Sequence, residues 1–327
     1  MAALPPVLAF DEALAATDGK QRTLLIGNGF SAEYFNYANL LAKAGLEPGD
    51  PLLTLFAALD TVDFERVVRA LEDAAFVEAA YGDDRRAATF SQDAQRVREA
   101  LVKAINETHP AHKSELAFKL ESGAAFIAHF ANVFTLNYDL LLYWVNLESP
   151  GKNDGFGLGE KMGSGRFHGP FKPDARCHIF NLHGGLHLFD DGAGDMMKAV
   201  NDGDGVIATV SDTIRSGHFP IYVAEGKSTQ KLKKIHGNEY LRHCLDKLRL
   251  NALPLFVFGH SADDNDAHIY SAIFGSACKK LYFGIYQPSE PKVRALDGKL
   301  EKYRRTHGSD LAISFFDAES AKAWNAT

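Results

Sequence analysis

The chain has 327 residues, of which 46% are apolar and 24% charged, and its formal net charge is −7. That length suits one large α/β domain or one domain carrying an insertion, and the balance excludes disordered and fibrous classes. A net acidic chain is also not built to coat nucleic acid over its whole surface.

Residues 8–17 read as a short lead-in helix. Thr23-Leu24-Leu25-Ile26 is a short apolar run closed by Gly27, which predicts a buried strand. Gly27-Asn28-Gly29-Phe30-Ser31-Ala32 follows, and Tyr34 to Ala44 is helix-forming until Gly45 stops it. Residues 52–120 show no strand pattern. In Leu52 to Leu59, Phe64 to Phe76 and Gln92 to Asn106 apolar residues recur at spacings of three and four, so amphipathic helices are expected to form an insertion over 50–122. Asp83-Asp84-Arg85-Arg86 reads as a solvated turn.

Val133-Phe134-Thr135-Leu136 predicts a second strand, running into Asn137-Tyr138-Asp139 and a helix from Leu140 to Leu147. His178 to Leu182 predicts a third, ending at His183-Gly184-Gly185, and Pro254 to Phe258 a fourth, ending at Gly259-His260-Ser261. Residues 151–169 hold seven glycines and 190–205 are rich in Gly and Asp, so 151–177 and 190–228 read as long loops over the site. Residues 229–250 read as one amphipathic helix. A helix over 266–278, a strand from Lys280 to Tyr286, a polar helix over 290–304 and a strand from Ile313 to Phe316 complete the chain. Strands alternating with helices imply a doubly wound, mostly parallel, Rossmann-like α/β sheet, here in a single domain over 1–327.

In such a sheet, ligands bind beyond the carboxyl ends of the strands. Four predicted strands end there in Gly-Asn-Gly-Phe-Ser, Asn-Tyr-Asp, His-Gly-Gly and Gly-His-Ser, so one site fed by four loops is expected. Residues 27–32 fit G-x-G-x-x-[G/A], in which glycines let the backbone approach a pyrophosphate and a helix N-terminus offers free N–H groups. A plain strand-to-helix turn has the same composition. The acid expected about 20 residues later would be Glu47 or Asp50, both in a turn, which argues against an ordinary dehydrogenase.

The Asn137 amide can orient a ribose hydroxyl or a water, and both Asn137 and Asp139 can equally cap a helix. His183 is the natural general base, since histidine ordinarily titrates near about 6.5. His187, four residues on, makes a metal pair an alternative without an obvious third ligand. Gly259-His260-Ser261 lacks the second glycine of a nucleophile elbow, so Ser261 reads as a phosphate or ribose contact. His260, Asp264, Asp266 and His268 could be drawn as a metal cluster, but a solvated helix start is the plainer reading. Lys227, Lys231, Lys233, Lys234, Arg242, Lys247 and Arg249 read as a solvated basic face, with a nucleic-acid or partner contact as the alternative.

Cys177, Cys244 and Cys278 form no CxxC pair, which excludes a four-cysteine zinc site and a disulfide framework and favours a cytoplasmic location. Asp11 and Glu12 interrupt the first apolar stretch, so no signal peptide is expected, and no apolar run is long enough to predict a membrane span.

The ordered series Gly27-Asn28-Gly29-Phe30-Ser31, Thr135-Leu136-Asn137-Tyr138-Asp139, His183-Gly184 and Gly259-His260-Ser261 resembles the motifs of the sirtuin superfamily: G-A-G-x-S, T-x-N-x-D, H-G and G-x-S. More narrowly it is similar to bacterial sirtuin-like proteins that lack zinc. One branch of these has an Asp-Gly-Phe loop and a Glu-Gly-Lys-Ser segment, here Asp154-Gly155-Phe156 and Glu225-Gly226-Lys227-Ser228. The resemblance spans residues 20–290 and implies that NAD is bound. By position, Gly27, Gly29 and Ser31 would cradle its phosphates. Asn137 would hold the nicotinamide ribose or an attacking water, and Asp139 would lie near the nicotinamide. His183 would be the general base on the ribose hydroxyls, and Gly259 and Ser261 would contact the adenosine side. Asn28, Phe30, Thr135, Gly184, His260 and Asp266 complete the implied cofactor-binding set.

Two departures qualify the likeness: the chain cannot build the zinc module of the deacylating enzymes, and position 28 is Asn where they have Ala. In the zinc-free relatives the resemblance implies NAD+ hydrolysis to nicotinamide and ADP-ribose in defence against phage. Control would come from a regulatory partner protein or a homo-oligomer. No zinc, no membrane and no direct nucleic-acid contact are expected. A non-catalytic NAD or ADP-ribose sensor, and an NAD-dependent deacylase or ADP-ribosyltransferase, are the alternatives.

Overall fold

A computed structural model of the chain describes residues 5–34, 40–148, 151–157, 166–173, 175–200, 205–223 and 227–325. In chain order its elements are β1 (Val7–Leu8), α1 (Phe10–Ala15), β2 (Thr23–Ile26), α2 (Leu40–Lys43), α3 (Pro51–Ala58), α4 (Phe64–Ala80), α5 (Asp84–Thr108) and α6 (Ala117–Ala128). Next come β3 (Asn132–Thr135), α7 (Leu141–Leu147), β4 (Phe167–His168), β5 (Ile179–Asn181), β6 (Gly184–Asp190), β7 (Met196–Ala199), α8 (Val206–Arg215) and β8 (Pro220–Tyr222). Last are α9 (Ser228–Gly237), α10 (Glu239–Arg249), β9 (Leu255–Phe258), α11 (Ala267–Phe274), β10 (Lys280–Ile285), α12 (Glu290–Thr306) and β11 (Ala312–Asp317).

A seven-stranded sheet runs in the order β1-β11-β10-β9-β2-β3-β5, with every pair parallel. From β2 the chain steps outward through β3 to β5. It then returns to the other side of β2 at β9 and steps outward through β10 and β11. This is the doubly wound α/β architecture, and its direction reverses between β2 and β9. Alternate residues enter two separate cores. Leu24, Ile26, Val133 and Phe256 pack with Phe10, Phe126 and the helices between β2 and β3. Leu25, Phe134, Leu255 and Val257 pack with the apolar residues of α10, α11 and α12. Burial on both faces explains why β2 and β9 read as unbroken apolar runs.

The chain between β2 and β3 is helical in its described residues. Asp50, Asp63 and Asp83 each cap a helix there by accepting a backbone N–H, from Leu52, Glu65 and Arg86 respectively. Asp83-Asp84-Arg85-Arg86 is therefore the start of α5, not a turn. Asp50 also pairs with Arg96 at 2.5 Å.

Other expectations are corrected. The predicted long loop over 151–177 contains β4 and that over 190–228 contains β7, α8 and β8; β4, β7 and β8 join β6 in a second, antiparallel sheet. The predicted single helix over 229–250 is two, α9 and α10, separated at Asn238. Of the helix expected from Tyr34 to Ala44, residues 35–39 lie outside the described residues, and Asn28 to Phe30 form one 3-10 turn. Glu225 and Gly226 also lie outside them. Among the described residues no helix is long and apolar enough to cross a membrane.

Candidate functional site

The turns that follow β2 and β9 meet backbone to backbone at the point where the sheet reverses. The Gly27 N–H donates to Phe258 O at 2.9 Å and the Gly29 N–H to Gly259 O at 2.7 Å. A Cβ on Gly29 would stand 2.7 Å from Gly259 Cα. Gly259 has φ +70°, and a Cβ there would stand 2.5 Å from Phe30 N. A Cβ on Gly27 would meet the His260 ring at 2.7 Å. These glycines are thus required by the fit of one turn on the other. The N–H groups of Phe30 and Ser31 are likewise engaged within the turn, by Gly27 O and Asn28 O.

Beside this junction the Asn137 amide donates from Nδ2 to Ser31 Oγ at 2.8 Å, while its backbone N–H donates to Thr135 Oγ1 at 3.0 Å. Ser31, Thr135 and Asn137 are all buried. Asn137 Oδ1 has no hydrogen-bond partner among the described residues, and an unsatisfied buried acceptor costs about 1–3 kcal/mol. Asp139 Oδ1 accepts the Leu141 N–H at 2.7 Å at the start of α7.

His183 lies between β5 and β6, buried, with its Nε2 3.1 Å from His268 Nε2 and the two rings 25° from parallel. His268 sits on α11. Its Nδ1 is 2.9 Å from Ser228 Oγ, and that oxygen also accepts the His268 backbone N–H at 2.9 Å. Asp266 bridges the neighbours. Its Oδ1 is 2.9 Å from Lys231 Nζ and 3.8 Å from His183 Nε2, and its Oδ2 is 3.1 Å from His260 Nε2. The Ala262 N–H donates to His260 Nδ1 at 2.9 Å, which leaves Nε2 as the nitrogen that donates to Asp266.

Burial pushes His183 down to about 3 against the opposing pull of Asp266, and pushes His268 down to about 4. Both rings are therefore neutral at physiological pH, and His183 does not titrate near its ordinary value. Burial acts to raise the Asp266 carboxyl, but the His260 hydrogen bond together with His183 and Lys231 holds it below the ordinary carboxylate range.

His183, Asp266 and His268 place three potential ligand atoms within 4.8 Å of one another. The Lys231 ammonium already balances the single carboxylate of this set. A divalent cation would add two charges to a buried cluster in balance, so the donors suit an ion-pair and proton network better than a metal. His187, the other candidate ligand, packs on Tyr143 instead, with Lys198 and Asp154 as its charged neighbours.

A cavity of about 960 Å³ opens at this edge of the sheet. Asn28, Gly29 and Phe30 line one side, and Gly259, His260, Ser261 and Asp266 the other, with His183 and Lys231 between them. Gly27, Ser31, Thr135 and Asn137 lie behind that lining, though Leu136 and Tyr138 on either side of Asn137 reach it. Asp139 is turned to α7. Gly184 is set against β8, where a Cβ would stand 1.9 Å from Ile221 O, so the structure gives it a packing reason and no cavity contact.

Four contributors have places at the site that the sequence reading did not give them. Lys231 is buried on the same face of α9 as Ile235, a position its i, i+4 spacing could have revealed. Ser228 and His268 close the histidine network. The segment after β11 supplies Trp324, whose Nε1–H donates to Phe30 O at 2.6 Å and whose ring packs against Phe30 at 4.7 Å between centroids, tilted by 44°. No sequence pattern marks Trp324.

A family model described as "Domain of unknown function (DUF4917)" matches residues 24–324. No curated protein matches the sequence significantly. Among solved structures, one named "Crystal structure of a Sir2 homolog-NAD complex" superposes with a TM-score of 0.37 at 12% identity, covering 93% of this chain and 98% of that one.

Proposed function

The chain belongs to the family described as a domain of unknown function (DUF4917), and from the site built above we propose that it binds NAD+ and hydrolyses it to nicotinamide and ADP-ribose. One observation carries the reading. The cavity lies where the strand order reverses, between the turns after β2 and β9, which is where open α/β sheets bind nucleotides. Its volume of about 960 Å³ lies in the range of small-molecule and cofactor sites. The ordered motifs that resemble sirtuins support the same ligand. They also extend the reading to an effector of defence against phage, released by a partner protein or a second copy.

The bond to be broken is the N-glycosidic bond to nicotinamide, and the ribose acquires oxocarbenium character as it breaks. Asn137 gives one amide hydrogen to Ser31, and its Oδ1 is an acceptor with no partner among the described residues. It would take a hydrogen bond from the attacking water or a ribose hydroxyl and hold that oxygen in place. His183 is neutral throughout the physiological range, so its acceptor nitrogen is always available. A low basicity is no obstacle if the proton moves late, once positive charge on the ribose has made its hydroxyl acidic. Asn28 and Ser261 offer side-chain groups to the rest of the dinucleotide, and the His260 ring, with both nitrogens engaged, offers it a surface.

The test is incubation with NAD+, with nicotinamide and ADP-ribose resolved by chromatography. Asn137→Ala and His183→Ala should each lose about 10²–10⁴-fold in turnover while melting cooperatively like the parent chain. Full activity in both variants would overturn the assignment of roles. A ligand-dependent rise in melting temperature without nicotinamide release would replace hydrolysis by binding alone.

A further inference from the structure

Two buried imidazoles facing each other through the same ring nitrogen can share only one hydrogen. His183 Nε2 and His268 Nε2 are 3.1 Å apart, so one must donate and the other accept. What lies behind His268 decides what the pair can do. Its Nδ1 is 2.9 Å from Ser228 Oγ, an oxygen with two lone pairs, one of them already taken by the His268 backbone N–H. The Ser228 hydroxyl can either donate to Nδ1 or, through its second lone pair, accept an Nδ1–H, and the relay needs the second arrangement. In that arrangement His268 Nε2 is the acceptor, His183 Nε2–H is the donor, and His183 Nδ1 is left as the basic nitrogen. Ser228 belongs to the Glu-Gly-Lys-Ser segment, and nothing in the hydrolysis reading itself uses it.

We propose that His268 is the proton-relay partner of His183, held in the accepting tautomer by Ser228. The step balances with one bond made and one broken at each histidine involved. A ribose hydroxyl gives its proton to His183 Nδ1, the His183 Nε2–H bond breaks, and that proton forms a bond to His268 Nε2. His183 is neutral again, and the positive charge rests on His268, beside the Asp266 carboxylate. The groups facing the pair are Asp266 ahead of α11, Lys231 from α9 and His260 from the turn after β9. Asp266 favours the charged form of His268, while Lys231 and His260 oppose it.

The relay rests on the hydrolysis reading, so its test has an arm that needs no activity. Histidine side chains labelled with 15N report their tautomers directly by NMR. In the parent protein His183 should be the Nε2–H tautomer and His268 the Nδ1–H tautomer. Ser228→Ala, which removes the acceptor for Nδ1–H, should shift both rings toward the opposite tautomers. His268→Gln keeps a hydrogen-bonding group beside His183 but cannot carry a proton. It should leave the KM for NAD+ within about twofold and lower kcat by about 10²-fold, with no further loss in the His183→Ala background. Unchanged His183 nitrogen shifts in both variants would overturn the pairing. Parent-level kcat in His268→Gln would reduce His268 to a positioning residue and overturn the relay. Absence of nicotinamide release from the parent protein would sink the hydrolysis reading and the relay's catalytic role. The tautomer shifts would then decide the pairing alone.

Discussion

Gly29 and Gly259 show how a residue can be legible while its reason is not. Their spacing after two strands marked them for a site, and they do line the cavity. Sequence reasoning gave Gly29 to a pyrophosphate because the Gly-x-Gly pattern carries that meaning, and the resemblance gave Gly259 to the adenosine side. In the structure each excludes a side chain from the contact between the two turns, a partner that no local pattern names. Lys231 failed in the opposite way. Amid so many basic residues it read as solvated, yet its ammonium is buried against Asp266. Removing it should strand that carboxylate with His260 alone. Lys231→Met is expected to cost about 3–5 kcal/mol in urea unfolding, and Lys231→Met with Asp266→Asn much less than the sum of the single changes. A cost below about 1 kcal/mol, the value of exposed pairs, would return Lys231 to the surface.

Among the elements, the four strands that position the site were readable to within a residue or two at each end, because burial on both faces leaves a short apolar run bounded by glycine or polar residues. The antiparallel strands were not. β7 is four residues long with a lysine in its middle, set among Gly and Asp, and its pairing with β6 is a nonlocal fact. The break between α9 and α10 was hidden for another reason: apolar residues continue at helical spacing from Leu232 to Leu248, so periodicity runs through the boundary. The signal was Gly237-Asn238, a helix stop followed by a cap. Asn238 Oδ1 accepts the Leu241 N–H at 3.0 Å, with extended backbone at φ −124° and ψ 128°. Asn238→Ala should therefore lower stability by about 1 kcal/mol, read as a lower urea midpoint at unchanged slope. A neutral change would mean that α9 and α10 are separated by packing alone, without the cap. The junction matters to the site because α9 carries Lys231, which lines the cavity, and Ser228, which contacts His268.

For the whole molecule, the consequence of burying imidazoles is sensitivity to acid. His183 and His187 are pushed by burial to about 3, and His268 to about 4. In the unfolded chain each returns to about 6.5. Between those values the unfolded state binds protons that the folded state refuses, so stability is complete above about pH 6.5 and falls as the pH drops below it. Each such histidine contributes a slope of about 1.4 kcal/mol per pH unit. Three together approach the whole stability of an ordinary domain, about 5–15 kcal/mol, before pH 4. Asp266 does not interfere in this window, because a depressed carboxyl loses its contribution only below the ordinary carboxylate pKa. Urea midpoints measured from pH 7.5 to pH 5 should therefore fall steeply. His187→Leu should flatten the fall by one histidine's slope, since it removes a ring whose Nδ1 has no partner among the described residues. Equal midpoints at pH 7.5 and 5 would mean that these rings are hydrated in solution. A flat profile would also remove the physical basis for a permanently neutral acceptor at His183. The acid limb of the unfolding profile and the chemistry at the cavity thus depend on the same buried imidazoles.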